Sequence, residues 1–139
     1  ESTDKKAALE FYNKSCKLKY GEGCRNLALN LQGEERDRYL NKACENSDLE
    51  ACNLQGEALL ERSDKESLSR AFDLFKKACG IHSSKACVNL AGMYESGLGV
   101  KADDKLALEN YMRGCVYGNK DSCTEAEKIA SKLEAQEHK

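Results

Sequence analysis

The sequence predicts an all-α fold, a solenoid of about eight paired antiparallel helices. Three observations predict it. All eight cysteines in the 139 residues fall into pairs of one separation: Cys16/Cys24, Cys44/Cys52, Cys79/Cys87 and Cys115/Cys123. An amphipathic segment precedes the first cysteine of each pair, and a second helical stretch follows the second cysteine. Proline is absent, as suits a chain that is nearly all helix and short turn.

Taken in order, the elements share one grammar. "KKAALEFYNKSC" predicts a helix over 4–17, with Ala8, Tyr12 and Ser15 at eight, four and one positions before the cysteine. "CRNLALNLQG" continues as a helix over 22–31. "ERDRYLNKAC" predicts 34–45, with Leu40 and Ala43 in phase and Arg36 as the exception, where the connection is cut to "LQGEERDR". Ser47-Asp48-Leu49-Glu50 has the form of a capping box and starts a helix over 49–61. "SRAFDLFKKAC" predicts 65–79 around Ala71, Phe75 and Ala78, and "CVNLAGMYESG" predicts 84–96. Gly80 can end the first of these with positive φ, and Ser83 or Ser84 can cap the second. Gly97 and Gly99 suit the next turn, Asp103 a cap, and "LALENYMRGC" a helix over 103–116 with Ala107, Tyr111 and Gly114. Asp121 or Ser122, just ahead of Cys123, is placed to cap the last helix, 120–136. Apolar residues at steps of three and four, with small residues beside each cysteine, mark helices packed tightly on one face.

The cysteine spacing constrains the turns. On a straight helix, eight steps separate Cα atoms by about 12 Å, whereas a disulfide tolerates about 7 Å at most. A bond therefore needs the chain to double back between the two cysteines. First cysteines recur at intervals of 28, 35 and 36 residues, so only local pairing repeats with the sequence. Zinc sites and unpaired core thiols are the other uses of so many cysteines. Zinc knuckles bring ligands two to four residues apart with histidine partners. Here no C-x-x-C occurs, and the histidines are His82 and His138. Disulfides imply an oxidising compartment, so a secreted or periplasmic protein is expected.

Composition narrows the function classes. Twenty-two Lys and Arg stand against 24 Asp and Glu, a formal net charge of −2. That is no electrostatic footprint for nucleic acid or an anionic membrane. No apolar run is long enough to span a bilayer, and "ESTDKKAALE" has no signal-peptide core. The length suits one repeat domain over 1–139, with about four units of which the first is shortened.

"CVNLAGMYESGLGVKADDKLALENYMRGCVYGNKDSC" resembles a Sel-one-like repeat, a relative of the tetratricopeptide repeat. Leu90, Tyr94, Gly97, Gly99, Val100, Asp103, Ala107 and Tyr111 match that pattern, whereas Ala91 replaces its glycine and Leu106 its lysine. With a cysteine pair in every repeat, the chain resembles the disulfide-rich branch, the Helicobacter cysteine-rich proteins. The resemblance implies an αα superhelix, secretion, and either a protein- or peptide-binding adaptor or, in another class, a penicillin-binding protein or weak β-lactamase.

The residues weigh these two implications differently. A serine β-lactamase needs a nucleophilic serine with a lysine one helical turn later, and further polar motifs. Ser2-Thr3-Asp4-Lys5 is the one S-x-x-K, and it reads as a helix cap at the chain terminus; S-D-N and K-T-G are absent. Two distant histidines cannot build a metallo-enzyme site, and His82 reads as a solvated loop residue. No catalytic residue, cofactor or metal is expected. For binding, the helices after each cysteine pair carry recurring polar residues: Arg25, Asn26 and Asn30, then Asn53 and Gln55, then Asn89 and Glu95, with Tyr94 near a turn. Asparagine is a poor helix former, and its amide can both donate to and accept from a peptide backbone. Arg25, Asn26, Asn53, Gln55, Asn89 and Tyr94 are thus the candidate binding residues, although local capping also explains asparagines near helix starts. Asn26 and Asn89 follow their cysteine by two positions and Asn53 by one. Tyr12, Phe75 and Tyr111 read as core, and Lys5, Lys6, Lys76 and Arg113 as a solvated outer face.

Overall fold

The computed structural model describes residues 3–138. These form eight helices and no strand: α1 (Thr3–Lys17), α2 (Gly21–Ala28), α3 (Gly33–Glu45), α4 (Leu49–Arg62), α5 (Lys65–Gly80), α6 (Ser84–Ser96), α7 (Asp104–Val116) and α8 (Lys120–Glu137). The chain packs as two compact units that meet in sequence at Gln55 and Gly56. In the first, α1 packs on α2 and α2 on α3; in the second, α5 packs on α6, α6 on α7 and α7 on α8. The all-α expectation holds, with most helix ends where the sequence places them. Helix α2 is the exception and stops at Ala28. Asn30 and Leu31 instead form tight turns through Asn30 N to Leu27 O and Leu31 N to Ala28 O. The Asn30 side chain also donates back to the Asn26 carbonyl.

All four cysteine pairs are bonded as the repeat implies. Cys16 joins Cys24 and Cys44 joins Cys52, with Cα atoms 4.5 and 4.7 Å apart. Cys79 joins Cys87 and Cys115 joins Cys123, at 4.6 and 4.8 Å. The bridges differ in burial. Cys24, Cys52 and Cys87 have no exposed surface. Cys115 and Cys123, by contrast, both stay partly exposed.

Each bridge closes a turn of the same build. Counting from the first cysteine, the third residue on has positive φ: Lys19 (69°), Ser47 (68°), His82 (75°) and Gly118 (109°). Gly118 apart, these are not glycines. The next amide reaches back to the carbonyl just before the cysteine, as Tyr20 to Ser15, Asp48 to Ala43, Ser83 to Ala78 and Asn119 to Gly114. This is a Schellman stop, which satisfies carbonyls that the helix end leaves unpaired. Gly80 therefore does not end α5 in the left-handed region; it remains helical, and His82 takes that role. The register of the six-to-one bond decides this, because that bond falls at a fixed distance from the cysteine.

The same register sets the next helix start. The residue after the left-handed one caps it in three turns: Asp48 accepts from Ala51 N, Ser83 from Ala86 N, and Asn119 from Ser122 N. Two expected caps are thereby corrected. The cap ahead of Cys52 is Asp48 and not Ser47, because Ser47 occupies the left-handed position and a cap needs extended backbone. The cap ahead of Cys123 is Asn119, and Asp121 and Ser122 already lie inside α8. Each of these caps stands four residues before its cysteine. Asp103 caps α7 as expected, and Asp64 caps α5 by accepting from Ser67 N at 2.8 Å. The Ser67 amide and hydroxyl bonds hold the Asp64 carboxyl below its ordinary pKa.

At each bridge the helices approach through small side chains. The residues just before the two cysteines of a pair are Ser15 and Gly23, Ala43 and Ala51, Ala78 and Ala86, Gly114 and Ser122. A Cβ on Gly23 would collide with the Ser15 side chain, and one on Gly114 would stand 2.7 Å from Ser122 Oγ. The four alanines have no exposed surface. Serine on one side thus requires glycine on the other, and alanine pairs with alanine. Two local clusters are part of the packing. One gathers Cys16, Cys24, Ala28, Leu40, Ala43 and Ala51; the other gathers Ala91, Ala107, Tyr111, Ala126 and Ile129. Phe75 and Tyr111 are buried as expected, whereas Tyr12 is only half-buried.

Candidate functional site

Position relative to the second cysteine, Cys24, Cys52, Cys87 or Cys123, decides which polar residues can meet a ligand. The third residue on is Leu27, Gln55, Leu90 or Ala126, and all four are buried. Gln55 thus occupies a core position. Its Nε2 donates to Asn41 Oδ1 at 3.3 Å, while its buried Oε1 has no hydrogen-bond partner among the described residues. The first residue on is Arg25, Asn53, Val88 or Thr124. Asn53 is only 1% exposed. The second residue on is Asn26, Leu54, Asn89 or Glu125, and each is partly exposed. One helical step turns a side chain by about 100°, which is why Asn53 points inward where Asn26 and Asn89 do not.

In the first unit, Arg25 is engaged in structure. Its Nε donates to Asp48 Oδ1 at 2.9 Å, the same oxygen that caps α4. A guanidinium beside a helix-capping carboxylate holds the α3–α4 turn against α2. Asn26 is placed differently. It lines a groove of 350 Å³ on α1 and α2 with Phe11, Tyr12, Ser15, Tyr20, Glu22 and the two glycines, 21 and 23. Phe11 and Tyr20 are 67% and 65% exposed, unusual for large aromatic side chains. The glycines belong to this surface because larger residues would strike the Asp48 side chain and Ser15. The close helix contact therefore puts two buried glycines among the groove-lining residues, beside three aromatic rings.

In the second unit, Asn89 and Tyr94 lie half-buried on α6. The Tyr94 ring meets Phe72 edge-on, with centroids 5.5 Å apart, and packs against the second cluster. Glu95, one residue further, accepts a hydrogen bond from the Tyr111 hydroxyl at 2.8 Å. His82 is exposed and stacks on Tyr117 at 4.5 Å between centroids. Every cysteine, the partly exposed Cys123 included, is held in a bridge, so none offers a thiolate nucleophile. Among the described residues no three His, Cys, Asp or Glu side chains stand close enough to hold a metal. No described helix is long and apolar enough to cross a membrane. Ser2, the serine of the S-x-x-K, lies outside the described residues.

Of the six candidate binding residues, Arg25, Asn26, Asn89 and Tyr94 retain accessible surface. Arg25 is tied to Asp48, and Asn53 and Gln55 are interior. The sequence reading missed Phe11 and Tyr20. Tyr20 stands where the other repeats place the capping residues Asp48, Ser83 and Asn119, and Phe11 where they place Tyr39, Leu74 and Asn110. Aligning the repeats on their cysteines exposes the aromatic at the capping position.

Comparison with known proteins agrees with this geometry. The Sel1 repeat model matches residues 2–20, 50–80 and 84–115, more than half of the chain. The last two segments each join a helix that follows one bridge to the helix that precedes the next. Helicobacter pylori cysteine rich protein B is 29% identical, with a TM-score of 0.70 over 87% of this chain and 93% of that one. A Sel1 repeat protein from Oxalobacter formigenes is 22% identical, with a TM-score of 0.76 over 86% of this chain and 97% of its own. A protective antigen of uropathogenic Escherichia coli with an SLR fold is 23% identical, with a TM-score of 0.78 over 87% of this chain. This chain spans 28% of that antigen's length. No curated protein matches by sequence. The chain belongs to the Sel1 repeat family.

Proposed function

We propose that the chain is an exported binding module that holds a protein or peptide partner. The observation that supports this best is the groove on α1 and α2, where Phe11, Tyr12 and Tyr20 surround Asn26 and two glycines. Exposed aromatic rings supply contact area at small entropic cost, while an asparagine amide can pair with a peptide backbone. Membership of the Sel1 repeat family supports an adaptor role, and four disulfides support an oxidising compartment. The partner is an extended segment with apolar side chains for the rings and a free backbone edge for Asn26.

Selection of random displayed peptides on the immobilised, oxidised protein tests this reading. Enriched peptides should lose at least about tenfold in affinity with Tyr20→Ala or Asn26→Ala, a loss of about 1.4 kcal/mol. Lys76→Ala should leave affinity unchanged. Peptides that bind equally to all variants, or no enrichment, would reject the groove as the binding site.

A further inference from the structure

The outer face of α7 departs from the repeat pattern. Counted from the first cysteine of each pair, the residues seven and three before it and one after it share a helix face. They are Leu9, Asn13 and Lys17 in α1, Asp37, Asn41 and Glu45 in α3, and Phe72, Lys76 and Gly80 in α5. In α7 they are Leu108, Met112 and Val116. Alone among the four helices, α7 is apolar at all three. Met112 is 52% and Val116 79% exposed. With Lys105, Glu109, Arg113 and Tyr117 they line a groove of 380 Å³. An i, i+4, i+8 apolar row is the surface one helix offers to another.

We propose that this face pairs with the same face of a second copy of the chain, with the two α7 helices antiparallel about a twofold axis. A charge register on the helix selects that occupant. Glu109 and Arg113 lie side by side along one flank of the apolar row, four residues apart. An axis passing at the level of Tyr111 sets Glu109 opposite Arg113 of the second copy, and Arg113 opposite its Glu109. The same axis sets Leu108 between Met112 and Val116 of the second copy, so the apolar side chains interdigitate. One register therefore satisfies both the charges and the packing, as an isologous interface requires. Arg113 is already held at the rim by long contacts to Asn110 Oδ1 (3.4 Å) and the Cys79 carbonyl (3.5 Å). A single helix face is smaller than the roughly 800 Å² per partner of a standard interface, so the dimer is weak and depends on concentration.

Sedimentation equilibrium of the oxidised chain tests this from low micromolar to about millimolar concentration. The weight-average mass should rise from 15.4 kDa toward twice that value. Met112→Glu and Val116→Glu, both at exposed positions, should hold it at the monomer while circular dichroism remains unchanged. Glu109→Arg alone and Arg113→Glu alone should each place like charges opposite one another and weaken the homodimer at least about tenfold. Mixed together, those two variants should form a heterodimer more readily than either self-associates. A wild-type mass of 15.4 kDa throughout would overturn the proposal and leave the stripe to a different protein. So would a dimer insensitive to Met112→Glu, or charge variants that gain nothing on mixing.

Discussion

The Tyr111 hydroxyl donates a 2.8 Å hydrogen bond to Glu95 Oε1, joining α7 to the end of α6. The ring is buried in the second cluster, whereas the carboxylate is exposed. Burial first, then the bond to Glu95 and its charge, raise the phenol well above its ordinary pKa of 10.0. A raised pKa means that the folded state holds this proton more tightly than the unfolded chain. The resulting stability is fully present below about pH 10 and is lost as pH rises toward the folded pKa. The urea midpoint of the wild type should therefore fall above pH 10 more steeply than that of Tyr111→Phe. Near neutral pH the substitution should cost about 1 kcal/mol, because solvent rehydrates the released carboxylate. Parallel slopes for the two proteins would show that this phenol does not govern the alkaline limb.

Each bridge closes a loop so short that its cost to the unfolded chain is easily stated. Replacing Cys79 and Cys87 together by alanine should remove about 2–3 kcal/mol by loop entropy. Helix content should survive while the denaturant midpoint falls. A double variant as stable as the parent would show that the bridge contributes nothing.

The buried and the partly exposed bridges should differ in how they yield to reductant. Thiol–disulfide exchange needs access of the attacking thiolate to sulfur. The Cys115–Cys123 bridge should therefore open first under graded reduction, and the Cys44–Cys52 bridge should persist, since Cys52 has no exposed surface. Alkylation and peptide mapping at successive times read the order. Simultaneous loss of all four would mean that global unfolding, not local access, controls reduction.

Glycine at position 114 is a packing requirement. Its neighbour Ser122 sits 2.7 Å from where a Cβ would stand. Gly114→Ala should cost about 1–3 kcal/mol by overpacking. Adding Ser122→Ala should return part of that loss, because the pair then matches Ala78 and Ala86. The test is a double-mutant cycle: additive losses would reject the coupling.

The left-handed turn position allows a gain as well as a loss. Ser47 is exposed with φ at 68°, so Ser47→Gly should stabilise by up to about 1 kcal/mol. Gly118 has open space around an added Cβ but a φ of 109°, so Gly118→Ala should cost about 1 kcal/mol through backbone strain alone. Chemical denaturation of both variants reads the two signs, and equal signs would contradict the shared turn.

The helix pairs and the bridges are legible because their causes are local. A cysteine pair at one spacing, an amphipathic period and a capping residue act over a few neighbouring positions, and four repetitions make the pattern unmistakable. The details of the turns are less so. Glycine permits positive φ, which makes Gly80 look like the turn residue, but the six-to-one bond chooses the position and places it on His82. The candidate site is harder still. Composition makes Asn53 and Gln55 look like surface amides, and counting from Cys52 shows that they occupy interior phases. Burial depends on which face the neighbouring helices cover, and that is a property of the packed chain. By itself the sequence determined an all-α repeat with four local disulfides, because covalent spacing and helical period need no partner. Only tertiary structure decided that Asn26 lines an aromatic groove, that Asn53 is interior, and that Cys123 keeps exposed surface where Cys52 does not. A step of one residue turns a side chain by about 100°, and packing alone says which direction is water.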